Sequence, residues 1–118
     1  MKYMLMICRD EPAWERLTPA ERKQIYDDMV ALSEDLRARG QYVAGHPLQA
    51  SSTATAVRVR GGKRLVTDGP FVETREQLGG YMIIDVPDLE AAIAVAARVP
   101  LARTSTVEIR PLREGPPG

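Results

Sequence analysis

Two short apolar runs constrain the fold of this chain more than any other feature. Residues 2–8 ("KYMLMIC") and residues 80–86 ("GYMIIDV") are apolar at nearly every position. This is the pattern of central strands that are covered on both faces, since an edge or half-exposed strand would alternate with polar residues. The sequence therefore predicts a sheet with these two strands at its centre.

A long helix is predicted between the first run and the middle of the chain. Thr18 can cap it, Pro19 suits the first helical position, and Glu21 completes a capping box. Gly40 is placed to end the helix in a left-handed conformation. The apolar side chains between these limits recur at helical spacing and predict one buried stripe, formed by Ile25, Met29, Leu32 and Leu36.

A second helix is predicted from a cap at Asp88 to residue 99, where Pro100 stops it. Its predicted inward face consists of Leu89, Ala92, Ile93 and Ala96. Residues 9–17 are predicted to form a loop, in which Pro12 and Trp14 are a candidate lid.

The remaining strands are predicted at residues 41–48, 55–60, 63–67 and 106–110, with a Gly61-Gly62 turn joining the middle two as a hairpin. The order β-α-β-hairpin-β-α-β predicts a ferredoxin-like α+β sandwich, βαββαβ with an inserted β-hairpin and helices on one face of the sheet. Because the central strands are apolar on both faces, something must cover the face without helices. We expect a homodimer in which a second subunit provides that cover.

Composition limits the possible partners. The 118 residues predict a single domain, 1–118, and lysine plus arginine balance aspartate plus glutamate at 16 each. A neutral chain lacks the field that attracts nucleic acid, so no direct nucleic-acid binding is expected. The apolar run at the start is too short for a signal peptide or a membrane span, which predicts a cytoplasmic protein without membrane attachment.

The segment "TDGPFVETREQLGGY", residues 67–81, holds the densest candidate chemistry. Asp68, Glu73 and Glu76 lie within nine positions. Carboxylates at such short separations repel one another, and when they are partly buried they favour a proton-transfer site or a cation site. Asp68 before a glycine also has a simpler interpretation, in which it hydrogen-bonds its own turn. The spacing matches no calcium loop and there is no histidine pair for zinc, so neither metal nor cofactor is predicted.

Three further residues are candidates for the same site. His46 is the only histidine and can serve as an acid–base partner of Asp68, or can be a loop residue with a half-solvated ring. Arg9, at the end of the first strand, can bind a carboxylate or phosphate at two points, or can pair with Asp10 or Glu73. Tyr81 can orient a ligand over the sheet. The predicted catalytic pair is Asp68 and His46, with Arg9, Glu73, Glu76 and Tyr81 binding substrate.

The chain resembles the DGPF family within the YciI-like, or YCII-related, group. The resemblance rests on "DGPFVETREQLGGY" with "DVPDLEAA" after it, and extends to "MKYMLMICRDE", "LTPAE" and "AGHPL", so it spans nearly the whole chain. It implies a dimeric ferredoxin-like, or α/β-barrel, fold. Some relatives are linked to sigma factors of RNA polymerase, and the wider group includes an enzyme that eliminates chloride from a chlorinated aromatic ring.

The sequence departs from the enzymatic members of that group at two places. The histidine that they carry in the first helix corresponds to Met29 here, and their Asp-Pro after the second helix is Val99-Pro100. Two functions follow as alternatives. One is a small-molecule lyase or other proton-transfer enzyme with a pocket near the DGPF turn. The other is a non-catalytic dimeric module that binds a small organic ligand or a protein such as a sigma factor.

Overall fold

The computed structural model describes residues 1–116; the last two positions of the predicted domain lie outside the described residues. The chain runs through the following elements: β1 (Lys2–Asp10), α1 (Glu11–Glu15), α2 (Pro19–Ala38), β2 (Tyr42–Pro47), β3 (Thr55–Arg60), β4 (Lys63–Asp68), β5 (Glu76–Asp85), α3 (Leu89–Ala97) and β6 (Val107–Pro111). Two short 3₁₀ turns, Ser51–Thr53 and Pro100–Arg103, precede β3 and follow α3.

The main sheet has four strands in the order β2-β5-β1-β6, and every neighbouring pair is antiparallel. The two strands predicted to be central, β1 and β5, are the inner pair. Strands that are joined through a helix are not neighbours in this sheet: β1 leads through α2 to β2 and β5 leads through α3 to β6, and in each case one strand lies between the two. This α+β arrangement is compatible with the predicted ferredoxin-like sandwich.

Both long helices begin as the sequence predicts. The Thr18 side chain accepts a hydrogen bond from the Glu21 backbone N–H, and the Glu21 carboxylate accepts one from the Thr18 backbone N–H, which completes the capping box. Asp88 caps α3 by accepting from the Ala91 N–H at 2.9 Å. Gly40 follows α2 with φ of 69°, the conformation for which a glycine is favoured. Neither these helices nor the rest of residues 1–116 provides a helix long and apolar enough to cross a membrane.

The core lies between the sheet and the two long helices. Along β1 the alternate residues are buried on the helix side, while their neighbours on the other face are only half-buried. The fully buried large side chains are Leu5, Leu36, Met82, Ile84 and Val99. The opposite face of the sheet therefore has no helical cover within the described chain.

Two predictions about local structure were wrong. Residues 9–17 are not simply a loop, because β1 continues to Asp10 and the α1 turn follows at once. Asp10 caps that turn by accepting from the Ala13 N–H at 3.1 Å, a role that tolerates Pro12 in the first turn. Helix α1 was missed because one turn of helix is too short to show an apolar period.

The inward face of α3 was the second wrong prediction. Its buried stripe consists of Ala92, Val95 and Ala96, continued beyond the helix by Val99, whereas Leu89 and Ile93 are 51% and 43% exposed. The observed stripe has the same helical spacing as the predicted one but is rotated around the helix. Two of the three buried positions are alanines, whose small side chains permit a helix to pack closely on a sheet.

Strands β3 and β4 form a two-stranded antiparallel sheet of their own. Gly61 and Gly62 join them with φ of 56° and 74°, as a two-residue turn with positive φ at both positions requires. At the base, the Gly69 N–H donates to the Ala54 carbonyl at 2.7 Å. We call the hairpin of β3 and β4 the arm, because it extends from the four-stranded body of the molecule.

Candidate functional site

A cavity of about 730 Å³ lies between α2 and the sheet, on the side of β2 and β5. It exists because the apolar stripe of α2 is divided. Leu32 and Leu36 are buried in the core, whereas Ile25 and Met29 are half-buried and line the cavity. A volume of this size is typical of a site for a small organic molecule.

The cavity lining combines apolar surface with positive charge. Ile7, Met82 and Leu101 contribute apolar walls, and the charged residues of the lining are all cationic. These are Arg9, Arg22, Lys23 and Arg37. Among the described residues that line the cavity there is no aspartate or glutamate. The cavity is thus electrostatically suited to an anion and not to a cation.

Arg9 lines the cavity, and it lacks the ion pair with Asp10 or Glu73 that was the structural alternative for it. Its guanidinium carbon is 4.8 Å from the centroid of the Trp14 ring, within the range of a cation–π contact. Its Nε is buried and has no hydrogen-bond partner among residues 1–116. The Asp10 carboxylate instead accepts from Arg75, which is the main reason that the pKa of Asp10 lies below its usual value. Arg9 therefore keeps its hydrogen-bonding capacity for a ligand.

Arg37 is a second cavity residue, and sequence reasoning missed it. Its guanidinium carbon is 4.2 Å from the centroid of the Tyr42 ring, and the Tyr42 hydroxyl donates to the Gly45 carbonyl at 3.3 Å. Within the described chain Arg37 takes part in no salt bridge. Little in the sequence indicated this role. Arg37 directly follows the buried Leu36 in α2, and an arginine at that position could equally have been a solvated helix residue.

The other two cations of the lining are already engaged. Arg22 donates through Nε to the Trp14 carbonyl at 3.2 Å and through Nη2 to the Glu15 carbonyl at 2.9 Å, so it ties α1 to the start of α2. Lys23 forms an i,i+4 salt bridge with Asp27 at 2.8 Å. Arg9 and Arg37 are thus the two cationic side chains that are best placed to receive an anion.

His46 and Tyr81 were predicted site residues, and the structure brings them together. They are opposite each other on β2 and β5, and His46 Nδ1 is 3.0 Å from the Tyr81 hydroxyl. Both border the cavity, but side chains alternate along a strand. Tyr81 pairs with Met6, and the residues next to them, Leu5 and Met82, are buried beneath the helices. The His46–Tyr81 side chains therefore project from the helix-free face.

The predicted carboxylates do not gather at the cavity. Asp68, Glu73 and Glu76 are exposed and are absent from its lining. Asp68 ends the arm, and the hydrogen-bond partner of His46 is Tyr81 rather than Asp68. Throughout residues 1–116 no group of three histidine, cysteine or acidic residues is arranged to hold a metal ion. The roles proposed for Asp68 and the two glutamates stay predictions.

The DGPF turn borders a different and smaller space. Pro70 lines a second cavity of about 330 Å³, together with Leu48, Ala50, Gln77 and Leu78. This space has no charged residue in its lining. The larger, cationic cavity therefore lies away from the turn where sequence reasoning expected the pocket.

Two acidic residues that were not predicted hold the neighbouring loops. The Asp10 carboxylate forms a salt bridge with Arg75, which fixes the segment between the DGPF turn and β5. Glu11 accepts from both the backbone and the hydroxyl of Ser51, and these hydrogen bonds hold the pKa of Glu11 below its usual value. Asp10 and Glu11, where β1 meets α1, thus anchor two connections to the body.

Gly79 makes room for Arg9 at an irregular position of the sheet. The register of β1 and β5 shifts between Ile7 and Cys8, opposite Gly79. A Cβ on Gly79 would lie 3.0 Å from Arg9 Cδ and 3.2 Å from its Cγ. An alanine at this position therefore requires the arginine side chain to move.

We expect the Gly79→Ala substitution to displace Arg9 from the Trp14 ring while costing less than about 1 kcal/mol of folding free energy, because the clashing group is a flexible side chain. Trp14 is the only tryptophan, so its fluorescence reports the contact. The emission maximum should shift in the same direction for Gly79→Ala as for Arg9→Met, the variant that lacks the guanidinium. The double variant should emit like Arg9→Met alone, and a further shift in the double variant would contradict the explanation.

Comparison with known proteins agrees with the motif at residues 68–81. A model of the YCII-related domain matches residues 1–115. An uncharacterized protein from Rhizobium meliloti (strain 1021) is 31% identical over 120 residues, an alignment that covers 100% of this chain and 97% of that protein. On the strength of the family match and of this relative, which both extend over nearly the entire chain, the protein belongs to the YCII-related domain family.

Proposed function

We propose that this protein binds a small organic acid in the cavity between α2 and the sheet, and that it does so as a homodimer. One observation carries the first part: an apolar cavity of about 730 Å³ whose charged lining residues are all cationic. A carboxylate leaves water only where charged donors replace its hydration, and arginine provides two parallel donors for this purpose. The apolar walls suit the carbon body of the ligand.

Arg9 and Arg37 are the proposed receptors of the carboxylate. Each lies over an aromatic ring, Trp14 or Tyr42, which fixes its position without neutralising its charge. A carboxylate in the cavity would accept hydrogen bonds from the Arg9 guanidinium, which forms no salt bridge among residues 1–116. Pre-positioned donors of this kind reduce the cost of ordering side chains on binding.

Binding is better supported than a particular reaction. A lyase or other proton-transfer enzyme requires a base beside the bound acid. His46 projects from the helix-free face, and Asp68 is not part of the cavity lining. Proton transfer by these groups stays a prediction, as does a protein partner such as a sigma factor, which only the resemblance suggests.

The homodimer is supported by the uncovered face of the sheet. Met4, Met6, Tyr81 and Ile83 share that face and are only half-buried in the isolated chain. The chain exposes 8222 Å², whereas a compact monomer of this mass exposes about 6,300 Å². The excess is roughly 1,900 Å², which exceeds the ~800 Å² that each partner buries in a standard interface.

A thermal-shift comparison tests the binding proposal. We expect aromatic and short aliphatic monocarboxylates to raise the melting temperature, while the matching neutral amides do not, because stabilisation by mass action follows affinity. Arg37→Met keeps most of the side-chain stem but removes the charge. It should weaken binding of the best acid by about 10- to 100-fold, the value of a charged hydrogen bond.

Arg16→Met is the matched control for that variant. Arg16 is an exposed arginine between α1 and α2 that does not line the cavity, so its loss should leave the binding constant within about twofold of wild type. Equal stabilisation by acids and amides, or an Arg37→Met protein that binds like wild type in calorimetry, would contradict the proposal.

A further inference from the structure

The arm gives the molecule an unusually extended shape. Its principal extents are 48 × 47 × 18 Å and its radius of gyration is 16.3 Å, compared with about 13.5 Å for a compact domain of this length. A two-stranded hairpin is at best marginally stable by itself in water. An arm that keeps its form therefore needs a surface to lie against.

One face of the arm carries three valines. Val57 lies opposite Val66 in the register of β3 and β4, and Val59 is on the same face two residues further along, opposite Arg64. We call these three residues the valine face. They are 59%, 57% and 63% exposed, respectively. Such a cluster of exposed β-branched side chains is characteristic of a contact surface and not of a solvated hairpin.

The charge of the arm indicates what covers it. Between Thr55 and Asp68 the arm has four basic residues, Arg58, Arg60, Lys63 and Arg64, and one acidic residue, Asp68. It therefore has a net charge of +3, and because the whole chain is neutral the remainder has −3. The body of a second copy is thus an electrostatically complementary partner that is always present.

Nucleic acid is a less suitable partner for this surface. Four basic residues could contact phosphates, but the three valines would then be placed against a polar, hydrated backbone and gain little. Against a protein surface the same valines bury apolar area, while Arg64 beside them and the other basic residues of the arm pair with acidic side chains. The valine face therefore favours a protein partner.

We propose that the arm embraces a second copy of this chain, with the valine face buried on the body of the partner. This rests on the homodimer proposed above and adds a second contact to the one between the sheet faces. The area supports both contacts, because the roughly 1,900 Å² of excess surface is more than one standard interface requires of each partner. The arm, which is the most extended part of the chain, accounts for that excess most directly.

Equilibrium sedimentation of charge variants tests the inference. Val57→Lys and Val66→Lys should each raise the dimer dissociation constant at least about tenfold, because each places an unpaired charge in the contact. Thr67→Lys is the matched control. Thr67 is next to Val66 but pairs with Ala56 on the other face of the arm, so the same new charge there should change the constant by less than about threefold.

Two milder substitutions control for the possibility that a lysine variant unfolds the arm. Val57→Thr and Val66→Thr keep the β-branched shape that the hairpin favours, and should weaken the dimer in the same direction but less. Far-UV circular dichroism confirms that the variants fold.

The outcomes separate this inference from the homodimer itself. A wild-type chain that is monomeric at micromolar concentration overturns both. A wild-type dimer whose dissociation constant is unaffected by the valine variants overturns the arm contact alone. Binding of a labelled DNA duplex that depends on Arg64 and not on the valines assigns the arm to nucleic acid and likewise overturns it.

Discussion

Replacing Leu36 by alanine is expected to lower the free energy of unfolding by about 2–5 kcal/mol, the range for a fully buried leucine. Leu36 is 0% exposed and belongs to the core cluster with Leu5, Met82 and Ile84. The substitution removes apolar contacts and leaves a cavity that the rigid sheet cannot fill. Since native proteins are stable by only about 5–15 kcal/mol, this is a large part of the total.

Chemical denaturation at a fixed protein concentration measures the effect, since association changes the apparent stability of a dimer. Leu89→Ala is the matched control, because it is the same substitution at a leucine that is 51% exposed. We expect it to cost less than about 1 kcal/mol. Equal losses for the two variants would show that α2 is not held to the sheet by Leu36.

Replacing Ile83 by lysine is expected to produce a monomer. Ile83 lies on the inner strand β5, opposite Met4 on the helix-free face, and is near the centre of the proposed contact between subunits. An unpaired ammonium group there would lose its hydration without gaining a partner. The dissociation constant should rise by roughly 100-fold or more, and sedimentation velocity at micromolar concentration should show the change.

Ile93→Lys tests whether any new lysine has this effect. Ile93 is an exposed isoleucine of α3, on the opposite side of the sheet, and its replacement should leave the dimer intact. An Ile83→Lys protein that sediments as a dimer would contradict the sheet-face interface. A dimeric Ile83→Lys protein together with a monomeric Ile93→Lys protein would place the interface on the helical side instead.

The parts of the fold that were predictable are those specified by neighbouring residues. The capping box of Thr18 and Glu21 and the positive φ of Gly40 each depend on a few adjacent positions. The central position of β1 and β5 followed from apolar residues on both faces. Such local signals do not require knowledge of which elements pack together.

The rotation of α3 could not be predicted for the opposite reason. The predicted and observed stripes both satisfy helical spacing, and the choice between them depends on how closely the sheet approaches the helix. Val95 and Val99 are buried together with the alanines at positions 92 and 96, whose small side chains permit a close approach. A single sequence does not contain the distance between layers.

The roles of the predicted site residues stay predictions, although the structure places Arg9, His46 and Tyr81 at the border of the cavity. Arg37 and Tyr42 were missed, since their contact depends on how a helix end is placed above β2. The carboxylates near the DGPF turn attracted attention by their density in sequence, yet sequence density does not determine where a cavity forms.

The divided apolar stripe of α2 means that the two halves of this helix are held in place by different contacts. The second half of the helix is fastened by Leu32 and Leu36, whereas the first half covers the cavity with Ile25 and Met29. A molecule in the cavity would supply to the first half the contacts that the core supplies to the second. Part of the binding free energy would then offset the loss of conformational entropy in the first half of α2. Ligand affinity and the rigidity of that half would therefore vary together.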